Sequence, residues 1–249
     1  VASIVLIVFG WLSGCNFRLA GKDWGVVFLL SLLRAVTSFS LIIAYQNIAS
    51  GVASTIHFMY PLAVALAMMF FFREKKSLLV ILAVLMSLLG AALLSLGELE
   101  AKSGNTMVGL VAACVSVFSY AGYIVGVRTT RAVQINSTAL TCYVMGLGTI
   151  FYLIGAYCTS GLQLVSDGYT WLIILGLALP ATAISNITLV QAIKYAGPTL
   201  TSILGAMEPL TAVVIGVFVF KELFTVNSAV GIILILLAVS IVVFRRQKS

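Results

Sequence analysis

Apolar runs of about 20 residues, each bounded by charges, glycine or proline, recur along the chain and set its organisation. Eight are complete: roughly Gly25 to Tyr45, Gly51 to Phe72, Leu78 to Gly97, Met107 to Val127, Thr138 to Cys158, Thr170 to Ile193, Thr199 to Phe220 and Ser228 to Phe244. A ninth, Val1 to about Cys15, begins inside an apolar run, so a segment upstream is expected and no cleavable signal peptide is recognisable. At about 1.5 Å rise per residue, such runs cross a hydrocarbon layer of roughly 30 Å. Lipid offers the backbone no hydrogen-bond partners, so the runs predict helices joined by short connections. The expected fold is an all-α membrane protein with nine transmembrane helices.

The polar positions inside the runs repeat. Sliding Ser50 to Glu74 forward by 148 positions lays Ser54 on Ser202, Met59 on Met207, Pro61 on Pro209 and Glu74 on Glu222. The same offset carries Leu41 and Ala44 onto Leu189 and Ala192, so the chain is an internal duplication. Alternating the runs across a bilayer puts Arg18, Lys22, Arg73, Lys75, Lys76, Arg128, Arg131, Lys194, Arg245, Arg246 and Lys248 on one side, and only Lys102 and Lys221 on the other. The basic side is expected to face the cytoplasm, with the C-terminus inside. The run Gly51 to Phe72 then travels inward and its copy Thr199 to Phe220 outward, which makes the halves inverted repeats. Their expected extents are 1–102, with four helices, and 103–249, with five.

Composition agrees with this reading and removes others. With 62% hydrophobic and 8% charged residues, too little polar surface exists to cover a soluble core. The net charge of +7 comes from basic residues at run ends, with no Lys/Arg-rich stripe for nucleic acid. Cys15, Cys114, Cys142 and Cys158 lack metal or redox spacing and read as core residues.

Two motifs, Tyr60-Pro61 with Phe72-Arg73-Glu74 and Glu208-Pro209 with Phe220-Lys221-Glu222, stand in register in the two copies. In these the chain resembles the drug/metabolite transporter superfamily, whose repeat unit is the EamA domain, and the resemblance covers nearly the whole chain. It implies ten helices in two inverted halves, cytoplasmic termini, a central cavity for small metabolites, and a bacterial inner (plasma) membrane location. The chain departs by lacking the first of those ten helices.

Ionisable groups inside the runs are costly, at least about 2.5 kcal/mol each at mid-bilayer, and so mark candidate sites. Arg34, His57, Tyr60 and Glu208 fall at similar depth, and the offset lays Tyr60 on Glu208 and Arg34 on Thr182. Arg34, Thr37 and Ser38 share one helical face, as do Thr182, Ser185 and Asn186. Ser116, Ser119, Tyr120 and Tyr123 form a further stripe, in which Tyr120 is the cavity candidate and Tyr123 also fits an interfacial belt. The candidate substrate-binding residues are therefore Arg34, Ser38, His57, Tyr60, Tyr120, Asn186 and Glu208. Pro61 and Pro209 each remove a backbone donor and are candidate hinges. Gly10 with Gly14, and Gly122 with Gly126, have the spacing of close helix packing. A structural alternative pairs Arg34 with Glu208, or turns Arg34 toward the cytoplasm.

The expected activity is secondary transport of a small metabolite such as an amino acid, by alternating access around a central cavity, in the direction of export. Efflux of cationic amphiphiles is the alternative, and a channel or intramembrane enzyme ranks below both. Asp23 and Asp167, the two aspartates, lie in predicted loops, and a single histidine supplies neither an HExxH nor a multi-His zinc site. No metal and no cofactor are expected beyond possible proton coupling at Glu208. The expected partners are the substrate and the lipid bilayer, and the expected assembly is a monomer or homodimer.

Overall fold

In a computed structural model, residues 2–12, 14–15, 17–73, 78–95, 104–158, 167–205, 207–219 and 225–247 are described. They are nearly all helical. The segments are α1 (Ala2–Leu12), α2 (Trp24–Asn47), α3 (Ser50–His57), α4 (Tyr60–Phe71), α5 (Leu78–Ser95), α6 (Thr106–Thr129) and α7 (Ser137–Cys158). They continue with α8 (Gly168–Gly176), a π-helical stretch (Leu177–Ile184), α9 (Ser185–Ala196), α10 (Pro198–Leu204), α11 (Met207–Val219) and α12 (Val226–Gln247). Five helical stretches among the described residues are long and apolar enough to cross a membrane: Gly21–Asn47, Ser50–Phe71, Thr106–Thr129, Ser137–Gly155 and Gly168–Ala196. Leu78–Leu93 and Ala229–Ile241 are shorter apolar helices. Glu74, Lys75, Lys76, Lys102, Lys221, Glu222 and Lys248, used above as landmarks or orientation markers, lie outside the described residues.

The helix breaks have a local cause. Pro61 has no N–H for the carbonyl of His57, and the chain tightens there: the Met59 amide donates to Ile56 O and the Leu62 amide to Met59 O, at 2.9 and 3.1 Å. In the second copy Pro209 has no N–H for the carbonyl of Gly205, which instead accepts from the Glu208 amide at 3.0 Å. His57 and Gly205 are the same position under the 148-residue offset. Pro180 acts likewise in the middle of the fifth long stretch, Gly168–Ala196, where the backbone widens into π-helical turns before α9 resumes.

The helices divide into two units, and each takes helices from both sequence copies. The first comprises Val1–Ala35 and Gly126–Gly197. Here α1 packs on α7 and on the π-helical stretch, and α7 packs on α9. Aromatic edges tie α2 to α7, Trp24 to Tyr143 at 5.5 Å and Phe28 to Phe151 at 5.7 Å between ring centres. Gly126 meets its packing expectation, since a Cβ there would come within 2.8 Å of Leu30 Cδ2. Gly10 meets it differently, with the Phe17 ring filling the place of its Cβ. Gly14 does not pack a helix face: its φ of +63° makes it the turn that ends α1.

The second unit comprises Val36–Val125 and Pro198–Ser249. Its core holds Ala65, Met69, Ala83, Val84, Ile203 and Ala238, and a neighbouring cluster holds Ala44, Ile48, Ala53, Ala112 and Ala113. The main helix pair is α5 with α12, which are copies of one another by sequence. A Cβ at Gly90 would come within 2.7 Å of Gly231 O and of Ile235, while Ala238, the counterpart of Gly90, shares the core with Ala83 and Val84. Going forward along α5 meets α12 in reverse, so these two copies run antiparallel. Asn105 starts α6 by accepting from the amides of Met107 and Val108 at 3.1 and 3.2 Å.

Candidate functional site

The second unit gathers three of the predicted residues at the break between α3 and α4. His57 ends α3, Tyr60 begins α4, and Tyr120 reaches them from α6. Tyr60 and Tyr120 meet edge to face with ring centres 4.7 Å apart, and His57 stacks on Tyr120 at 5.5 Å. Tyr123 extends the group, parallel to Tyr120 at 6.3 Å. It is buried, which removes it from the interfacial belt in which the sequence also allowed it.

The hydroxyls on α6 fix the ring of His57. Ser116 Oγ donates its one proton to Ala113 O at 2.6 Å, so at 2.9 Å from His57 Nδ1 it must accept. Nδ1 therefore carries the hydrogen of that contact. One turn on, Ser119 Oγ donates to Val115 O at 2.8 Å and accepts from Thr37 Oγ1 at 2.9 Å. Both serines follow the usual habit of hydroxyls within helices, bonding back one turn.

Tyr60, buried, turns its hydroxyl onto Gly205, where it takes the space a Cβ would fill. Glycine at the second break is thus a requirement of contact with the first. Glu208 follows within the same turn. It is exposed and lies in the first turn of α11, where the positive end of the helix dipole favours a carboxylate. Pro61 and Pro209 are both buried immediately after the two breaks. Thr201, one turn before Gly205, carries a buried hydroxyl with no hydrogen-bond partner among the described residues.

The first unit brings a second pair of predicted residues together. Arg34 Nη2 donates to Asn186 Oδ1 at 3.3 Å, and Asn186 Nδ2 donates to Thr182 O at 2.7 Å, inside the π-helical stretch. The widened turns thereby offer Asn186 a carbonyl, and Asn186 offers the half-buried guanidinium an acceptor. Ser38 is half-buried on α2, in the second unit. Sequence reasoning passed over Gly205 and Thr201, and it named Ser116 only as a member of the stripe on α6. For Gly205 a signal existed, because the offset lays it on His57.

The model of the EamA-like transporter family matches residues 1–96 and 107–244. The chain belongs to that family. A relative of this EamA-like transporter from Archaeoglobus fulgidus, described as an uncharacterized transporter, is 28% identical over 238 residues, 94% of this chain and 83% of its own length. A protein crystal structure superposes with a TM-score of 0.82 at 18% identity, covering 100% of this chain and 86% of that one, which speaks to the fold alone. The protein is therefore a multi-pass membrane transporter of the drug/metabolite type, and family membership indicates no enzymatic activity.

Proposed function

We propose that this EamA-like transporter is a secondary carrier that exports small metabolites with an ammonium group, amino acids among them, from the cytoplasm. The observation that carries this reading is the group of His57, Tyr60, Tyr120 and Tyr123 beside the break that Tyr60 shares with Gly205. Ring faces attract cations, by about 2 kcal/mol or more where water is excluded, and Glu208 starts the helix just past Gly205. Arg34 would take a carboxylate in exchange for its bond to Asn186.

Nine spans in two inverted repeats, moving by alternating access in a bacterial inner membrane with the C-terminus inside, form the frame of this proposal. It is supported by the 148-residue duplication, by the antiparallel pairing of α5 with its copy α12, and by interruptions at equivalent positions ahead of Pro61 and Pro209, where a carrier would bend. The carrier acts as a monomer or homodimer and needs no cofactor, with Glu208 as the coupling proton site. Efflux of cationic amphiphiles is the second reading, favoured by the engagement of Arg34 with Asn186, which leaves aromatic faces and one acid as the recognising groups.

Counterflow in proteoliposomes tests both. Exchange of labelled for unlabelled amino acid, abolished in Tyr120→Ala, supports the first reading. Exchange of a quaternary amine alone, insensitive to Arg34→Ala, transfers support to the second. No exchange of either class defeats the carrier proposal. Glu208→Gln is expected to remove the pH dependence of uptake, and an unchanged rate and pH profile would dismiss proton coupling there.

A further inference from the structure

The first unit holds a cleft of about 380 Å3 that the transport reading leaves unused. Ser3 and Ile7 of α1 form one wall, Tyr143, Gly146 and Leu147 of α7 the other, and Phe17 and Trp24 close the end. The walls are apolar and the aromatic end is rigid. Tyr143 donates its hydroxyl to Phe17 O at 2.7 Å and sets its ring edge-on to Phe17 and Trp24. At Gly146 a Cβ would meet nothing within 4 Å, so the cleft has open space there.

The segment that closes the cleft is also basic. Arg18 follows Phe17 directly and Lys22 stands two residues before Trp24, both exposed. The one acid among them, Asp23, is paired with Arg131 at 2.9 Å, so the rim presents net positive charge. Trp24 itself is 46% exposed at the start of α2, the place where an indole sits at headgroup depth. The volume lies within the range of small-molecule sites, roughly 300–1,000 Å3. An apolar slot with cations at one end matches an amphiphile whose tail is hydrocarbon and whose head is anionic.

We propose that this cleft seats an acyl chain of an anionic phospholipid whose phosphate rests on Arg18 and Lys22. The inference needs the membrane setting of the family but not the substrate assignment above. A juxtamembrane cation attracts an anionic headgroup by a factor of about five.

Native mass spectrometry of the purified full chain, given phosphatidylglycerol and phosphatidylcholine with identical tails, tests it. The wild type is expected to retain phosphatidylglycerol preferentially. Arg18→Gln and Lys22→Gln are each expected to lower that retention about fivefold without changing phosphatidylcholine. Gly146→Leu, which fills the slot, is expected to lose both lipids, while Gly148→Leu, another glycine with open space around it, keeps them. Should Gly146→Leu fail to fold, Ile7→Trp fills the slot from the facing wall. Equal retention of the two lipids by the wild type, or unchanged retention in the slot-filling variants, overturns the proposal. Displacement by sn-glycerol 3-phosphate, which has the head but no tail, overturns it too, as does displacement by a transported substrate.

Discussion

At the scale of single residues, the contact between Tyr60 and Gly205 is the most constrained feature of the candidate site. A methyl group at Gly205 would overlap the Tyr60 hydroxyl and come within 3.2 Å of Cζ. Gly205→Ala is therefore expected to destabilise the protein by about 1–3 kcal/mol, the usual range for overpacking. Adding Tyr60→Phe to that variant is expected to restore most of the loss, read as thermal unfolding in detergent. Absence of rescue would mean that the two breaks do not touch. Thr201 gives the opposite sign. Its hydroxyl is buried without a partner among the described residues, so Thr201→Val is expected to raise stability by about 1 kcal/mol, and a loss instead would reveal a partner within the membrane. Residues of this kind were only partly legible. Rare ionisable and aromatic residues inside apolar runs singled out His57, Tyr60, Tyr120 and Arg34, but not the bond of Arg34 to Asn186, since the pairing considered for Arg34 was with Glu208. Thr201 was hidden, and Ser116 stood out only through its stripe, because hydroxyls are frequent in membrane helices and ordinarily bond to their own backbone. A glycine's importance likewise depends on which side chain faces it.

At the scale of elements, the sequence located the apolar runs and marked Pro61 and Pro209 as candidate hinges, without placing the helix ends around them. Hydrophobic periodicity registers which residues meet lipid or core and is blind to a carbonyl that loses its donor, so two runs read as single helices are α3 with α4 and α10 with α11. The prolines were the available sign, and Pro180 was left unread although it lies within the π-helical turns that present Thr182 O to Asn186. Helix starts were more predictable. Asp167 caps α8 by accepting from the Thr170 amide at 3.0 Å. That bond, then the Thr170 hydroxyl and the Tyr169 amide, holds its carboxyl below the ordinary value of 3.8. A carboxyl depressed by folding stabilises the native state above its unfolded pKa and ceases to as pH falls through its folded one. Asp167→Ala is accordingly expected to lower the melting temperature near pH 7, with the difference closing as pH falls below 3.8 and through the depressed folded-state pKa. A gap that persists at the acid end would assign the effect to something other than the charged cap.

At the scale of the whole molecule, the duplication was the most legible property and the least visible in local packing. A constant offset needs no knowledge of contacts, whereas the two units combine helices of both copies, so neither unit coincides with a sequence half. Membership of units follows from which faces bury each other, and that information is spread over residues far apart in the chain, as Gly90 against Gly231 illustrates. Inverted repeats make one demand that parallel repeats cannot meet: equivalent loops must lie on opposite sides of the membrane. Arg73 and Thr225 follow equivalent runs of the two copies, Gly51 to Phe72 and Thr199 to Phe220, and by the distribution of Lys and Arg the first belongs inside and the second outside. In a cysteine-free background, Arg73→Cys is expected to resist a membrane-impermeant maleimide applied to intact cells and to react after permeabilisation. Thr225→Cys is expected to react in intact cells. Lys22→Cys and Arg131→Cys should behave as Arg73→Cys does, because Asp23 and Arg131 form an ion pair that holds their two loops together. If Arg73→Cys and Thr225→Cys react from the same side, the copies are parallel. A carrier built on opposed halves then has no structural basis in this chain, however well its aromatic residues are arranged to hold a cation.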